Sequence, residues 1–410
     1  MISDSSVTGL IAQETARQQN TITLIPSENY CSSEVRAALG SVLTNKYSEG
    51  YPGKRYYNGN EIIDQIELIA IDRAKKLFGV PHANVQPYSG SPANSAVYMG
   101  LLTPGDTIMG LKLGGGGHLT HGHKVTFSGK FFRAVQYDVD EKGFIDHEAA
   151  LALAKEEQPK LIVVGTTAYP RILDWQKWRE IADSVGALLL ADISHIAGLV
   201  VAGVHTSPVP YADVVMTTTH KTLRGPRGAM IMVTDLGMKK DPEMGTKIDK
   251  AVFPGLQGGP HDQVTAGIAT ALGEASTDEF KAYGKQIISN AKVLATTLMD
   301  AGLTLVTGGS DNHLMVVDLR PQGKTGKEVA DSLEAVGIIV NRNSVPHDLA
   351  SPFDPSGIRL GTPAVTTRGM KEGEMKLIGT LIADVINGKT KDSEKEAKEA
   401  VNSICRTFPV

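Results

Sequence analysis

Four short, largely apolar runs in the middle of the chain constrain its fold more than any other feature. They lie at residues 161–164, 187–192, 213–218 and 229–233, and helical or irregular segments separate them. Strands that are apolar along their whole length are typical of a sheet buried on both faces. When such strands alternate with helices, the sheet is mostly parallel. The sequence therefore predicts an α/β fold in which helices cover both faces of a central sheet.

The rest of the chain adds helices and a second section of mixed character. Helices are predicted at residues 61–78 and 175–185, each followed by a glycine that stops it. Ser91 and Pro92 suit the N-cap and the first position of another helix, which runs to about residue 102. The predicted elements beyond these are a helical region at 261–300, a strand at 314–319, a helix at 326–336, a strand at 338–340 and a final helix from about 369.

The length of 410 residues and the hydrophobic content of 41% allow a large core and indicate two or three domains. We predict an N-terminal arm over residues 1–20, a large α/β domain over 21–272 and a smaller C-terminal α+β domain over 273–410. The arm has the pattern of a polar amphipathic helix without a core of its own. Helices of this kind often pack on a neighbouring domain or subunit.

Composition argues against several classes of function. The formal charge of −4 and the lack of a long Lys/Arg run disfavour nucleic-acid binding. Cys31 and Cys405 provide neither a disulfide framework nor a metal cluster, which fits a reducing cytosol. Residues 1–4 do not resemble a signal peptide, and no uncharged apolar run approaches about 18 residues. We therefore expect a cytoplasmic protein without a membrane or nucleic-acid partner.

Polar side chains follow three of the apolar runs at the point where each run ends. In a parallel sheet, ligands bind outside the carboxyl ends of the strands. A lysine held there can be partly desolvated, which is a condition for acting as a nucleophile or forming a Schiff base, although most lysines are simply solvated. Asp192 is either a helix N-cap or a ligand contact. The polar residues at these three ends are Thr166, Thr167, Asp192, His195, His220 and Lys221.

Three glycine- or serine-rich segments have the composition of binding loops. The turn at residues 89–94 precedes a predicted helix, so its backbone N–H groups would suit an anion, although ordinary turns use the same residues. The turn at 255–260 offers further donors. The glycine run at 114–117 is either a flexible loop or part of a site.

Three histidines lie close together at His118, His121 and His123. They resemble a metal cluster, but no cysteine or spaced carboxylate completes it, so we predict no metal site. A planar imidazole could instead stack on an aromatic ligand.

Two further segments carry charge in unusual settings. Arg359 lies in an apolar run and needs an anionic partner, which is either an internal carboxylate or the carboxylate of a substrate. Residues 47–57 include four tyrosines, two basic residues and Glu49. This segment is either a surface loop or a site of proton transfer.

Taken together, these residues resemble the fold-type-I enzymes that use pyridoxal phosphate, and most closely the serine hydroxymethyltransferase family. The resemblance extends from about residue 20 to the end of the chain. It implies a large cofactor-binding domain with a seven-stranded, mostly parallel sheet. The motifs that carry it lie at residues 26–30, 43–47, 49–57, 83–94, 117–122, 217–228, 253–255, 311–314, 341–346 and 357–363.

The resemblance implies a role for each candidate residue at the cofactor. Lys221 would form the Schiff base with pyridoxal phosphate, and Asp192 would pair with the pyridine nitrogen so that the ring can accept electrons. His118 would stack on the ring, while His195 and Thr167 would lie near its phenolic oxygen. The other implied cofactor residues are Ser89, Gly90 and Ser91 at the phosphate, together with Thr218, Tyr47 and Gly259, the last from the neighbouring subunit; His220 is implied to be catalytic.

The resemblance also implies how the substrates bind. Arg359, assisted by Ser27, would bind the amino-acid carboxylate and so select the Cα bond that breaks. Glu49 would move protons at the hydroxymethyl group, and it would come from the other protomer with Tyr47 and Tyr57. The enzyme would therefore be a homodimer with shared active sites. The implied residues for tetrahydrofolate or a modified pterin are Leu113, Gly117, Leu119 and Asn343.

The sequence departs from the family pattern at three places. Gly114 and Gly115 replace the common Ala-His before Gly-Gly-His, Asn58 replaces a glycine, and residues 191–195 read Ala-Asp-Ile-Ser-His. The first change lies near the pterin region, so it bears on the folate more than on the amino-acid chemistry. The last change is expected to be mild.

Three hypotheses for the function follow. The first is the reversible transfer of the serine hydroxymethyl group to tetrahydrofolate, which leaves glycine. The second is a related folate-independent aldolase acting on β-hydroxy or α-methyl amino acids, which the glycine run alone favours. The third is a non-catalytic binding protein on the same fold. Dependence of serine cleavage on tetrahydrofolate separates the first from the second, and a cofactor absorption band that requires Lys221 excludes the third.

Overall fold

The structure, a computed structural model, describes residues 5–388 and 392–410. The chain divides into two compact units, one formed by Cys31–Lys285 and the other by Met1–Tyr30 together with Gln286–Val410. Residues 1–4 of the predicted N-terminal arm lie outside the described residues.

A seven-stranded sheet forms the centre of the Cys31–Lys285 unit. Six of its strands run in the same direction, and Ala229–Val233 runs antiparallel to both of its neighbours. The expected mostly parallel α/β sheet is thus confirmed. The order of strands across the sheet is His82–Asn84, Ala229–Val233, Val214–Thr218, Leu188–Asp192, Leu161–Gly165, Thr107–Leu111 and Arg133–Tyr137.

Helices surround this sheet, and three of its strands, Leu161–Gly165, Val214–Thr218 and Ala229–Val233, are buried along their whole length. The helix Glu61–Phe78 is confirmed, and it ends at Gly79, whose φ of 68° is left-handed. The other helices of the unit are Ser33–Leu39, Gly90–Leu101, Phe127–Phe131, His147–Glu157, Trp175–Ser184, Ala197–Val201, Asp235–Lys240, Met244–Lys250 and Asp262–Ala275. Its shorter elements are the hairpin strands Gly50–Tyr51 and Lys54–Arg55, 3-10 turns at Val42–Asn45 and Leu113–Gly115, and a π-helical turn at Ala251–Leu256.

Two boundaries of the predicted helices were wrong. The helix assigned to start at Ser91 begins at Gly90, and extended Ser89 occupies the N-cap position. Pro92 is still tolerated, because the first turn of a helix has N–H groups without intrahelical partners. The helical region at 261–300 is two helices, because the Thr277 hydroxyl accepts a hydrogen bond from the Phe280 N–H and starts the second one, Asp278–Asp300.

The other unit contains a four-stranded antiparallel sheet, which confirms the smaller α+β section. An apolar core packs against it and includes Met315, Leu333 and Ile358. The strands are, in order, Thr304–Leu305, Leu314–Asp318, Gly357–Gly361 and Asn341–Asn343, and a separate parallel pair joins Ile22–Thr23 to Ile338–Ile339. The helices of this unit are Ser5–Gln19, Gly326–Ala335, Pro363–Thr367, Glu372–Asn387 and Asp392–Thr407, with 3-10 turns at Val306–Gly308 and Arg320–Gln322.

The C-terminal helix predicted from about residue 369 begins at Glu372 and is one of two long helices at this end of the chain. The N-terminal helix Ser5–Gln19 has no buried residue. Within the described part of the chain, no helix combines the length and the apolar character needed to cross a membrane.

Candidate active site

The carboxyl ends of the central strands bring together several of the residues singled out by sequence. Asp192 is the last residue of Leu188–Asp192, and it lies opposite Gly165 on one side and Met216 on the other. Thr167 follows the first of these neighbouring strands, and Lys221 follows the second. Asp192, His195 and Lys221 are all at least nine-tenths buried. A carboxylate, an imidazole and an amine therefore lie together at the carboxyl ends of the central strands.

Asp192 is held by three hydrogen bonds. Its Oδ2 accepts from Asn94 Nδ2 at 3.1 Å and pairs with His121 Nε2 at 3.0 Å, while its Oδ1 accepts from the Ser194 N–H at 3.1 Å. Burial alone would raise the pKa of this carboxyl, but other contributions outweigh it, and the hydrogen bond and charge of His121 are the largest of these. The pKa of Asp192 is consequently far below its ordinary value. Asp192 is a fixed buried anion, not the helix N-cap that was the alternative.

His118 is a neutral ring beside this anion. Its Nδ1 accepts from the Thr120 N–H at 3.2 Å and lies 2.7 Å from Thr120 Oγ1, which in turn accepts from Asn94 Nδ2 at 2.9 Å. An accepting Nδ1 places the proton of the neutral ring on Nε2. Burial, together with the charges of His121 and Lys221, lowers the pKa of His118 to about 4. A neutral, oriented imidazole of this kind can stack on a planar ligand.

Lys221 lies in a tightly folded loop. The Thr219 hydroxyl donates to Pro226 O at 2.7 Å, the Gly225 N–H donates to Thr219 O at 2.7 Å, and the Arg224 N–H donates to Lys221 O at 3.1 Å. These bonds fix the backbone on both sides of the lysine. The neighbouring His220 is half-buried, and its desolvation together with the positive charges of Lys221 and Arg227 lowers its pKa to about 3. His220 is therefore neutral at ordinary pH.

The small-residue turn at Ser89 lies against the end of strand Val214–Thr218. A Cβ on Gly90 would come within 2.8 Å of Thr218 Cγ2, so a larger residue would require Thr218 to move. Ser89 makes no side-chain cap bond to the helix Gly90–Leu101. The first backbone N–H groups of such a helix, with its dipole, suit an anion. Ser91 lies within the first turn, so the predicted phosphate residues Ser89, Gly90 and Ser91 share this one feature.

The residues that the sequence assigns to a neighbouring subunit form a second cluster. The Tyr47 hydroxyl donates to Glu49 Oε1 at 3.3 Å, and the rings of Tyr47 and Tyr57 meet edge to face with centroids 5.0 Å apart. Gly258 lies beside this carboxylate, and a Cβ on Gly259 would sit 3.3 Å from the Tyr47 ring. The Glu49 carboxylate therefore lies in a group of tyrosines and glycines.

The remaining predicted substrate residues belong to the unit that contains Gln286–Val410. Arg359 is buried in the strand Gly357–Gly361, where its Nε donates to Asn341 Oδ1 at 3.0 Å, and burial lowers its pKa to about 10. Ser27 lies close by in the fold, since the Gly361 N–H donates to Leu24 O and a Cβ on Gly361 would clash with Pro26. Asn343 lies on the adjacent strand, opposite Gly357.

The glycine run at residues 114–117 has a defined conformation. It forms a 3-10 turn followed by Gly116 at a φ of 96°, and Gly117 has no room for a Cβ because Leu111 O lies 2.0 Å from that position. The Thr167 hydroxyl donates to Gly117 O at 2.9 Å, and this hydrogen bond links the glycine run to the segment that follows the strand Leu161–Gly165. Leu113 and Leu119 flank the run and are about 40% exposed.

Sequence reasoning missed three residues of the Asp192 cluster. His121 was noted only as part of an apparent metal cluster, and Asn94 and Thr120 were given no role. All three belong to the hydrogen-bond network of Asp192 and His118. The sequence carried no local signal for these contacts, since Asn94 and Asp192 are 98 positions apart in the chain. Among the described residues, no group of three or more His, Cys, Asp or Glu side chains is arranged to hold a metal ion.

The comparisons with protein families and with individual proteins point to the same family. The family model described as serine hydroxymethyltransferase matches residues 1–382. Proteins named serine hydroxymethyltransferase are similar to this chain over nearly its whole length. The one from Desulfotalea psychrophila is 58% identical over 408 residues, which are 99% of this chain and 94% of the relative. Those from a Nostoc species and from Acidothermus cellulolyticus are 54% and 57% identical, covering 100% and 97% of this chain and 95% and 92% of the relatives.

Proposed function

The chain belongs to the serine hydroxymethyltransferase family, and from that premise we propose that its Asp192 and Glu49 clusters are the two halves of one active site. The reaction is the reversible conversion of serine and tetrahydrofolate to glycine and 5,10-methylenetetrahydrofolate, with pyridoxal phosphate as the cofactor. The enzyme is a one-carbon transferase. The relatives compared above are named serine hydroxymethyltransferase, and they give no support to the folate-independent aldolase.

The strand-end cluster fits the chemistry of this cofactor. A cationic pyridinium needs a permanent anion, which Asp192 provides because its pKa lies far below its ordinary value. An aromatic ring needs an apolar or neutral face, which the neutral His118 provides. A phosphate needs clustered N–H donors and close backbone approach, which the turn before Gly90–Leu101 provides.

Each residue of the cluster then has a defined task. Lys221 would hold the cofactor covalently through its amine, and Asp192 would hold the proton on the pyridine nitrogen. Thr167, His195 and Thr218 line the same strand ends. His220 would act as a neutral residue next to Lys221. When bound, pyridoxal phosphate supplies the electron sink for the carbanion left at Cα.

Arg359 and Ser27 would position the amino acid. A guanidinium presents a planar fork of donors that matches a carboxylate. Asn341 accepts from Arg359 Nε and so fixes the plane of that fork. Fixing the carboxylate determines which Cα bond is aligned for cleavage. For serine, this is the Cα–Cβ bond.

Glu49 would handle the proton on the serine side-chain oxygen. Its carboxylate accepts from the Tyr47 hydroxyl, and Tyr57 closes one side of the group. A carboxylate within hydrogen-bond distance of the reacting hydroxyl is suited to general acid–base catalysis. Leu113, Gly117, Leu119 and Asn343 would form the surface for tetrahydrofolate, and two of them are partly exposed leucines on the fixed glycine turn.

We further propose a homodimer that shares its active sites, located in the cytoplasm. The aromatic side chains of Tyr47 and Tyr57 in the Glu49 cluster, and of the adjacent Tyr56, are exposed, as expected for a surface that a second copy covers. Tyr47, Glu49, Tyr57 and Gly259 are the residues that such a copy would contribute. Cys31 and Cys405 are both free, which fits a reducing compartment. Other exposed apolar residues between positions 42 and 99 are Val42, Ile62, Leu68, Ile69 and Met99.

The observation that carries this proposal is the buried Asp192 anion beside Lys221 and the neutral His118. Its test is serine cleavage by the purified protein with and without tetrahydrofolate. We expect glycine and 5,10-methylenetetrahydrofolate to form in equal amounts, and formation of glycine from serine to fall at least about 10²-fold without the folate. Equal rates with and without tetrahydrofolate would contradict the proposal and favour the aldolase.

A further inference from the structure

The backbone around Glu49 is held in place on both sides by one side chain. Arg55 Nη1 donates to Ser48 O at 2.9 Å and to Gly50 O at 2.8 Å, which are the carbonyl groups on either side of Glu49. Gln86 Nε2 donates to the same Gly50 O at 2.9 Å. Glu49 itself therefore sits between two anchored residues.

Arg55 is in turn held by two carboxylates of the helix Glu61–Phe78. Its Nη2 donates to Glu67 Oε2 at 2.6 Å and its Nε donates to Asp64 Oδ1 at 2.8 Å. The side chains of Arg55 and Glu67 are 4% and 2% exposed. Gln86 also donates to Glu67 Oε1, at 2.8 Å. A buried, charged network thus connects the loop to a long helix.

The two neighbours of Glu49 are restricted in other ways as well. The Ser48 hydroxyl donates to Asp262 Oδ1 at 2.6 Å in a buried contact. Gly50 has a φ of 101°, and a Cβ there would lie 2.3 Å from Lys54 O, so only glycine fits. By contrast, within the part of the chain that the structure describes, the Glu49 side chain accepts one hydrogen bond, the long one from Tyr47. The position of its carboxylate is therefore set mainly by the backbone.

We propose that Arg55 is the positioning residue for Glu49: through the carbonyl groups of Ser48 and Gly50, it fixes where the Glu49 carboxylate meets the substrate hydroxyl. The proposal rests on the proposed role of Glu49 in proton transfer. A lysine cannot replace Arg55, because one ammonium cannot bond two loop carbonyls and two helix carboxylates in this planar arrangement. Displacement of a catalytic group by about 1 Å can lower a rate about 10²-fold.

The test is a double-mutant cycle on the holoenzyme with the variants Arg55→Gln, Glu49→Gln and the combination. We expect Glu49→Gln to lower kcat for serine cleavage with tetrahydrofolate by about 10²–10⁴-fold. We expect Arg55→Gln to lower kcat by about 10–10²-fold with little change in the KM for serine and with an unchanged cofactor absorption spectrum. In the Glu49→Gln background, Arg55→Gln should cause no further loss, because the group that it positions is gone.

Arg73, which lies on the helix Glu61–Phe78, provides a matched control for Arg55. Its Nη1 donates to Ala269 O at 2.6 Å, so it also anchors a backbone carbonyl, but not one of this loop. Any loss of kcat caused by Arg73→Gln should recur at full size in the Glu49→Gln background. Arg55→Lys should recover only part of the loss seen in Arg55→Gln.

The outcomes separate this inference from the proposed function. If Glu49→Gln leaves kcat unchanged, the proposed role of Glu49 fails and the inference fails with it. If Glu49→Gln is slow and Arg55→Gln slows it by a further tenfold or more, the role of Glu49 stands and the inference is overturned. If Arg55→Gln does not fold, Arg55→Lys replaces it in the cycle, because it keeps the buried positive charge but cannot bond both carbonyl groups and both carboxylates. Additive losses with Glu49→Gln would then overturn the inference.

Discussion

The Asp192 and Glu49 clusters lie in the same compact unit but have opposite characters. Asp192 and Lys221 are 8% and 9% exposed, and Asp192 accepts three hydrogen bonds. Tyr47 and Tyr57 are 53% and 47% exposed, and the hydrogen bond from Tyr47 to Glu49 is long. The Asp192 cluster is enclosed by its own chain. The Glu49 cluster lies at the surface, on a loop whose backbone Arg55 holds in place.

This difference indicates how the two clusters are used. A buried carboxylate that is fully bonded keeps its charge and its place, which suits a cofactor that stays bound. An exposed group of tyrosines with one carboxylate gains a defined environment only when another surface covers it. We therefore assign the covalent hold on the cofactor to one chain and proton transfer at the substrate to the other, with Tyr47 and Gly259 completing the cofactor site from that second chain.

The largest expected effect comes from Lys221→Ala, which removes the amine of the enclosed cluster. We expect activity to fall at least about 10³-fold and the visible absorption of the bound cofactor to change, because the covalent attachment is lost. The measurement is steady-state activity with an absorption spectrum. Lys177→Ala, on an exposed helix face, is the control and should leave both unchanged. An active Lys221→Ala enzyme would contradict the role in cofactor attachment that we assign to the enclosed Asp192 cluster.

Asp192→Asn is expected to have the next largest effect. It keeps the size of the side chain but removes the charge, so activity should fall at least about 10²-fold and the cofactor should bind more weakly. Asp249 is a matched control, because its Oδ1 also pairs with a histidine, His82, and accepts from an asparagine, Asn84. Asp249→Asn should leave cofactor affinity unchanged. Equal losses in both variants would show that the Asp–His–Asn arrangement is merely structural.

A smaller effect concerns acid stability. His118 has a folded pKa of about 4 against an ordinary value of 6.5, so the unfolded chain binds more protons between these values. The stabilisation from its neutral form is present above pH 6.5 and is lost as the pH falls towards 4. In the cofactor-free protein, His118→Phe should lose less unfolding free energy than the parent over this interval, by roughly 3 kcal/mol.

The measurement for this third prediction is urea unfolding at several pH values. Tyr47→Phe, in the exposed cluster, is the control, and its unfolding free energy should follow the parent across the same interval. A His118→Phe protein with the parent's pH dependence would show that the ring is not held neutral by burial.

The sequence allowed the central sheet to be predicted because its core strands are apolar throughout. It did not reveal the edge strands His82–Asn84 and Arg133–Tyr137, which are short or carry polar residues. Nor did it reveal that Ala229–Val233 runs antiparallel, because the apolar pattern of a strand is the same in both directions. The start of the helix at Gly90 was missed because serine, a common N-cap residue, occurs on both sides of that glycine.

The candidate site was partly predictable, because the order of the apolar strands in the sequence indicates which residues end them. Residues that end neighbouring parallel strands must lie near one another, so Asp192, Thr167 and Lys221 could be grouped from sequence. Contacts between distant segments could not. His121 reaches Asp192 across 71 positions in the chain, and Ser48 reaches Asp262 across 214. No local pattern encodes such pairs, so only the folded chain identifies them.

The central claim is that Lys221 of one chain works with Glu49 of the other, and hybrid dimers test it most directly. Differently tagged Lys221→Ala and Glu49→Ala subunits are co-expressed, and the hybrid is purified through both tags. Each homodimer should be nearly inactive, whereas the hybrid should have about half of the parental activity, because one of its two sites contains both intact residues. A hybrid no more active than the two homodimers would contradict the account.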